Sequence, residues 1–414
     1  MGKKLSLSLL FFYAGITGIG AQRLDLGIEQ RNRGEIGRGY KGVFGDHGGV
    51  GGVILNRTRV NVGFASEHVD AKVTLQNSGM WGQSDKGSAN NDIVVYESYA
   101  DIRFGHGLGF KVGRQELKYD EGRILSAPKW GNAGSSHDAM VLSFTDRNLK
   151  VHLGGAYNND NKNQEYYKTD VYGLSSDKWY RSMAYGWVHY RFCKSSELSA
   201  LYLNEGLLGG DGRMHYRSTF GGQADFRFGA FGATLSGYGQ SGRNFKNEKE
   251  GGYLLAGTLS YRHSEGWGIK AGYDFYSNSH NGRKGFTWLY GSPHNFAGYM
   301  DFWLDNLNSL NGLNDVYAGV FGGWKRFSYA VDYHNFRTVD ALTQGAGTGL
   351  GNEIDLTCSW QFKNWLSVDA GASVYLLTDA VRQVKGTTVD AASFGYVTLT
   401  VKPSALKWEL KRSK

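Results

Sequence analysis

A rhythm of connections limits what this chain can fold into. Every second link between its apolar–polar stretches is very short: Glu67–Val69, Gly105–Gly107, Asp146–Asn148, Cys193–Ser195, Gly229–Ala230, Ser264–Gly266, Lys325–Arg326 and Lys363–Asn364. The links between these are long and polar, at 34–50, 78–92, 116–137, 158–181, 241–250, 279–312, 339–351 and 379–390. The stretches they join alternate strictly. Val60, Val62 and Phe64 interleave with Arg57, Arg59 and Asn61, and Ile354, Leu356, Cys358, Trp360 and Phe362 with Glu353, Asp355, Thr357, Ser359 and Gln361. A two-residue period marks strands with two unlike faces. About 18 such segments run from Leu24 to Val401, each near the ~9–11 residues a tilted strand needs to cross a bilayer.

The expected fold is all-β: a transmembrane antiparallel up-and-down barrel with short periplasmic turns and long extracellular loops. Hydrocarbon offers no hydrogen bonds, so each backbone N–H and C=O needs an internal partner, and a closed sheet supplies one with no open edge. No stretch after residue 21 reaches the ~18 uncharged apolar residues of a spanning helix. The 61 Gly, 26 Tyr, 22 Phe and 11 Trp suit strands, turns and membrane interfaces. A barrel this wide is too large for side chains to fill, so an aqueous path is expected unless loops block it.

Lys3 and Lys4, a mostly apolar stretch from Leu5 to Ile19, and the small residues Gly18, Gly20 and Ala21 have the layout of a secretory signal peptide. The expected division is 1–21 signal peptide, 22–402 barrel and 403–414 basic tail. The last strand, Phe394–Val401, runs into Lys402 and Pro403 rather than ending on an aromatic residue. Cys193 and Cys358 read as free thiols.

Strand parity assigns the lumen charges. Early strands place Arg31, Arg33, Arg57, Arg59, Lys72, Arg103 and Lys111 inside, with Asp25, Glu29, Glu97 and Asp101; late strands place Asp274, Asp332, Glu353, Asp355 and Asp369 there, with Lys270. One wall is basic and the opposite wall acidic. Either a ladder of fixed cations along Arg57, Arg59, Arg103 and Lys111 concentrates anionic or highly hydroxylated solutes, or the charges pair across strands and keep the lumen wet. Arg114, Glu116, Asp120, Arg123 and Asp138 form a charged loop motif. It either folds inward to constrict the pore or ties the loop base by salt bridges.

Two segments resemble the bacterial alginate-export family of outer-membrane barrels. One is Gly113-Arg114-Gln115-Glu116-Leu117 with Tyr119, Gly122-Arg123-Ile124, Trp130 and Asp138; the other runs from Trp288 to Asp301 through Tyr290-Gly291-Ser292-Pro293-His294. The resemblance implies an 18-stranded export channel with an Arg- and Lys-rich lumen that binds an anionic polysaccharide, and it places these segments in the third and seventh outer loops. Ser135 and Ser136 stand where the family pattern has a basic residue ahead of the loop aspartate.

The sequence thus points to an outer-membrane channel for hydrophilic, anionic or sugar-like solutes. Its expected partners are outer-membrane lipid and such solutes, not nucleic acid. Neither a cofactor nor a metal is expected, since the 11 His are scattered without ligand spacing. A receptor or adhesin built on the long loops is a competing class. A barrel hydrolase is another, requiring a Ser or Thr nucleophile beside a His; His152, His189 and His334 fall on lumen faces, but no motif commits them.

Overall fold

The computed structural model describes residues 22–42, 49–82, 92–159, 180–303, 311–342, 347–403 and 406–410; the expected signal peptide lies outside the described residues. The strands are β1 (Gln22–Arg38), β2 (Gly51–Ala65), β3 (Val69–Met80), β4 (Val94–Gly105), β5 (Leu108–Gln115), β6 (His137–Asp146), β7 (Leu149–Tyr157), β8 (Ser182–Cys193), β9 (Ser196–Leu208) and β10 (Met214–Phe228). They continue with β11 (Phe231–Arg243), β12 (Lys249–Glu250), β13 (Tyr253–Arg262), β14 (Trp267–Tyr276), β15 (Leu313–Trp324), β16 (Phe327–Arg337), β17 (Gly349–Lys363), β18 (Leu366–Leu377), β19 (Ala391–Val401) and β20 (Leu406–Leu410).

Each long strand pairs antiparallel with its neighbours in sequence, and β1 pairs with both β2 and β19. The result is a closed antiparallel barrel of 18 strands; β12 and β20 are short additions to it. All the short connections fall where the sequence rhythm puts them. The tail after Pro403 goes further than expected. Leu406–Leu410 pairs with Leu26–Gln22 at the start of β1, while β19 covers Gln30–Arg38. The last strand is thus interrupted at Pro403 and then resumes.

Side chains sort by the period. Leu235, Leu255, Leu259, Val316, Val320 and Ile354 stand exposed on the outer face, which is stable only against lipid. A girdle of exposed aromatics, among them Phe192, Phe228, Phe231, Trp267, Trp324 and Trp365, follows the short turns, as at a membrane interface. The buried apolar residues have a different location. Leu117, Ile124, Leu125, Phe286, Met300 and Trp303 come from loops and are almost wholly covered, so the loops form a packed core inside the barrel. Cys193 and Cys358 are unpaired thiols.

Candidate functional site: a loop junction inside the barrel

The third outer loop (116–136) leaves β5 and turns inward, and the seventh, described at 277–303 and 311–312, does so from β14. They meet as strands would. Leu125 and Tyr290 form a parallel bridge; Tyr290 N–H donates to Ile124 O at 3.1 Å, Ser126 N–H to Tyr290 O at 3.0 Å, and Ser292 N–H to Gly122 O at 2.9 Å. The Ser126 and Ser292 hydroxyls meet at 2.7 Å. The contact is close enough to require glycine, since a Cβ at Gly291 would lie 2.2 Å from Arg123 O. On the other side of the chain, Gly122 takes φ +85°, which a side chain rarely adopts.

The charged walls hold this junction in place. Arg123 donates from Nη1 to Asp274 at 2.6 Å and to the Tyr276 hydroxyl at 3.3 Å, and its guanidinium lies 3.9 Å from the Phe296 ring centroid. Burial works against its charge, but Asp274 and Tyr276 reverse the sign and hold the guanidinium more firmly protonated than usual. Asp120 accepts from Trp187 Nε1 at 3.0 Å and from the Tyr238 hydroxyl at 3.3 Å; burial raises its carboxyl above the ordinary range. Glu116 accepts from the Tyr96 hydroxyl at 2.7 Å. On the seventh loop, Met300 N–H donates to Glu353 at 2.8 Å, Tyr299 N–H to Asp355 at 3.4 Å, and the Tyr290 hydroxyl to Glu205 at 2.6 Å. Asp301 accepts from Tyr40 at 2.7 Å and meets His294 Nδ1 at 2.8 Å. His294 stacks on Trp130 with centroids 4.1 Å apart.

Of the four cations in the expected ladder, Arg57 is covered by the third loop, together with Arg31 and Arg33 beside it. Arg31 donates to Lys129 O at 2.7 Å, Arg33 to Trp130 O at 2.8 Å and Arg57 to Asn132 O at 3.4 Å. All three are nearly covered, at 8%, 5% and 6% exposure. The tip of the third loop sits on them, its carbonyls taking the donors a solute would need. Arg33 pairs with Glu35, Arg57 with Glu29 and Lys72 with Glu97. Arg103 braces the β2–β3 turn through Asp70 at 2.7 Å. Arg59 bonds to Gln76 at 2.7 Å and lies over Tyr96, and Lys111 lies over Tyr99.

The loop motif divides between its two expected roles. Glu116, Asp120 and Arg123 point into the barrel, but Arg114 and Asp138 do not. Arg114 pairs with Ser98 and Asp138 across β4–β6, in the opposite parity to Lys111, and its bidentate bond to Asp138, at 2.8 and 2.7 Å, stands half-exposed on the outer face. Parity alone would have shown this, because Lys111, Gly113 and Gln115 already occupy the inner face. Glu205 and Arg217, joined at 2.6 Å, also hold the junction; their parity on β9 and β10 marks them as inward, though the sequence reading did not single them out.

Two polar cavities border the third loop. One, about 310 Å³, is lined by Asp120, Glu121, Trp187, His189, Ser199 and Asp225, with Lys150, Arg191 and Glu197 at its edge. The other, about 260 Å³, is lined by Asp101, Lys111, Glu116, Lys118, Tyr119 and His152. Both carry mixed charge. Among the described residues no cluster of His, Cys, Asp and Glu fits a metal ion.

An apolar exterior, a polar interior and loops folded into the lumen define the class: a transmembrane barrel of the outer-membrane porin fold. Solved structures from Pseudomonas aeruginosa share it across nearly the whole chain. OccK5 (OpdH) superposes with a TM-score of 0.63 at 11% identity, covering 93% of this chain and 98% of that one. OpdL gives 0.63 at 11%, covering 94% and 99%, and the outer membrane protein opdK gives 0.61 at 12%, covering 93% and 99%. No protein-family model and no curated protein sequence matches the chain.

Proposed function

We propose that this protein is an outer-membrane channel passing small hydrophilic solutes through a lumen narrowed by its third and seventh loops. The observation that carries the reading is the junction itself: main-chain pairing of the two loops inside a barrel whose inner face is polar. Such a lumen wets and conducts, and the loops set what fits. The mixed lining of both cavities favours sugar-like or zwitterionic solutes over a strong preference for either charge.

The narrower reading, export of an anionic polysaccharide, rests on the resemblance of the two loop segments. Lys111 and Arg59 face the lumen, over Tyr99 and Tyr96, and favour anions, although Asp101 opposite Lys111 offsets part of that charge. The seating of Arg31, Arg33 and Arg57 on loop carbonyls weighs against a continuous anion track. Conductance in planar bilayers under a salt gradient, with liposome swelling on neutral, uronic and phosphorylated sugars, tests both. The expected result is swelling with small neutral sugars and a reversal potential near zero. A barrel that stays impermeable to every solute overturns the channel. Strong anion preference abolished by Lys111→Ala with Arg59→Ala restores the narrower reading.

A further inference from the structure

Lipid-facing positions differ around the barrel. On β10, β13, β14, β15 and β17 the outer face carries Phe220, Leu255, Phe275, Val316 and Leu356. At a matching remove from the short turns, β1 to β6 carry something else. Gln30 and Asn32 on β1 pair across with Thr58 and Asn56 on β2, and these in turn with Asn77 and Gly79 on β3. On β4, β5 and β6 a second outward polar set, Ser98, Arg114 and Asp138, pairs in one line, with Ser98 opposite Val73 on β3 and so offset from the amides. Their strand neighbours of opposite parity, Arg31, Arg57, Gln76 and Gln115, are buried inside, so the row faces outward.

The row is not simply the upper edge of the apolar belt. Below it on the same strands stand Leu24, Leu26, Ile28, Val60, Val62, Val73 and Leu75. Above it Ile36, Ile54 and Met80 are exposed again, at 61%, 39% and 43%. Amides placed between apolar residues lack water on one side and hydrogen-bonding groups in lipid on the other. Local pairing satisfies them only in part: Gln30 donates to Asn32 at 3.4 Å and accepts from Thr58, and Asn77 donates to Asp92 O at 3.5 Å. The Arg114–Asp138 pair is likewise exposed on this face. A cavity of about 700 Å³ opens beside the row on the outer surface. Its floor is small, at Gly34, Gly52, Ala370, Ala372 and Gly395, and its rim apolar, at Ile36 and Ile54.

We propose that the outer face of β1–β6, with the small-residue groove at its β18–β19 margin, is a contact surface for a second copy of this chain. Amides are donor and acceptor at once, so a row of them complements its own copy, and Arg114 with Asp138 offers both signs of charge for the same purpose. The apolar residues above and below form the packed part of such an interface, and the groove receives a side chain from the partner. A lipid acyl chain fits the groove but leaves the amides unanswered.

The test is native mass spectrometry and light scattering of the full barrel in mild detergent and in nanodiscs. The wild-type protein should carry a multiple of the single-chain mass. Gln30→Leu, Asn32→Leu, Asn56→Leu and Asn77→Leu together should reduce it to one chain, while heat-modifiable migration in SDS shows the barrel still folded. In a Cys193→Ser, Cys358→Ser background, Asn56→Cys should cross-link to a dimer in membranes and Leu255→Cys should not; this pair needs no change in stability to be read. A single-chain mass in both media overturns the proposal. So does a fourfold variant that keeps its mass and gains thermal resistance, since that marks the face as lipid-covered, and so does equal cross-linking at the two sites.

Discussion

The basic wall of β1–β3 and the acidic wall of β14–β17 grip the loops by opposite means. On the basic side, Arg31, Arg33 and Arg57 donate into main-chain carbonyls from Lys129 to Asn132. On the acidic side, Asp274 takes the side chain of Arg123, while Glu353 and Asp355 take the main-chain N–H groups of Met300 and Tyr299. One wall reads chiefly the course of the backbone, with the Asn132 amide oxygen and the Trp130 ring as its side-chain contacts. The other depends at one point on a single guanidinium, buried with its partner at 3% and 1% side-chain exposure. Charge segregation in this lumen therefore seats loops before it can steer solutes, and the two walls should differ in how they fail.

The largest effect should follow Arg123→Ala. It leaves Asp274 with only the Tyr276 hydroxyl at 3.4 Å, and breaking a buried pair in this way costs about 3–5 kcal/mol. A lower midpoint of denaturant unfolding in vesicles and a larger, noisier single-channel current are the expected readouts. Arg123→Ala with Asp274→Ala should recover much of the loss. Gly291→Ala should come next, forcing the two loops apart at a cost of about 1–3 kcal/mol as for an overpacked core, with a higher conductance as the signature. Arg33→Ala removes one carbonyl bond, the cation–π contact to Trp130 at 3.9 Å and the covered ion pair with Glu35. About 1–3 kcal/mol is expected from the loss, measured in the same unfolding assay. Lys129→Ala should shift the midpoint by less than about 0.5 kcal/mol, as at an ordinary surface position, because the wall uses its carbonyl and not its side chain. A large effect there would erase the contrast between the walls.

The barrel was legible because its information is periodic. Two-residue alternation and the run of short turns specify strand number, direction and facing, and parity correctly turned Arg31, Arg57, Asp274 and Glu353 inward. The third and seventh loops carry no such period. Nothing in Lys129-Trp130-Gly131-Asn132 announces that its carbonyls will cover three arginines. Nor does the spacing of His294 and Asp301 show that Tyr40, from the first outer loop, will join them. Resemblance marked both segments as notable, but their partnership comes from barrel closure, which turns two loops far apart in sequence into one lumen. Arg114 and Asp138 show the reverse error. Grouped by nearness in sequence with Asp120 and Arg123, they were already placed on the outer face by the register of β5.

The interrupted last strand has a consequence for how the molecule is made. Gln22–Leu26, at the start of β1, finds its partner on that side only in Leu410–Leu406. Until those residues have been synthesised and delivered, the first strand keeps an unzipped length of backbone. Removing the segment after Pro403 would leave the cylinder laced along most of its seam and gaping at the periplasmic hem. The seam is thus sewn from two separate lengths of chain, β19 along Gln30–Arg38 and Leu406–Leu410 along Leu26–Gln22.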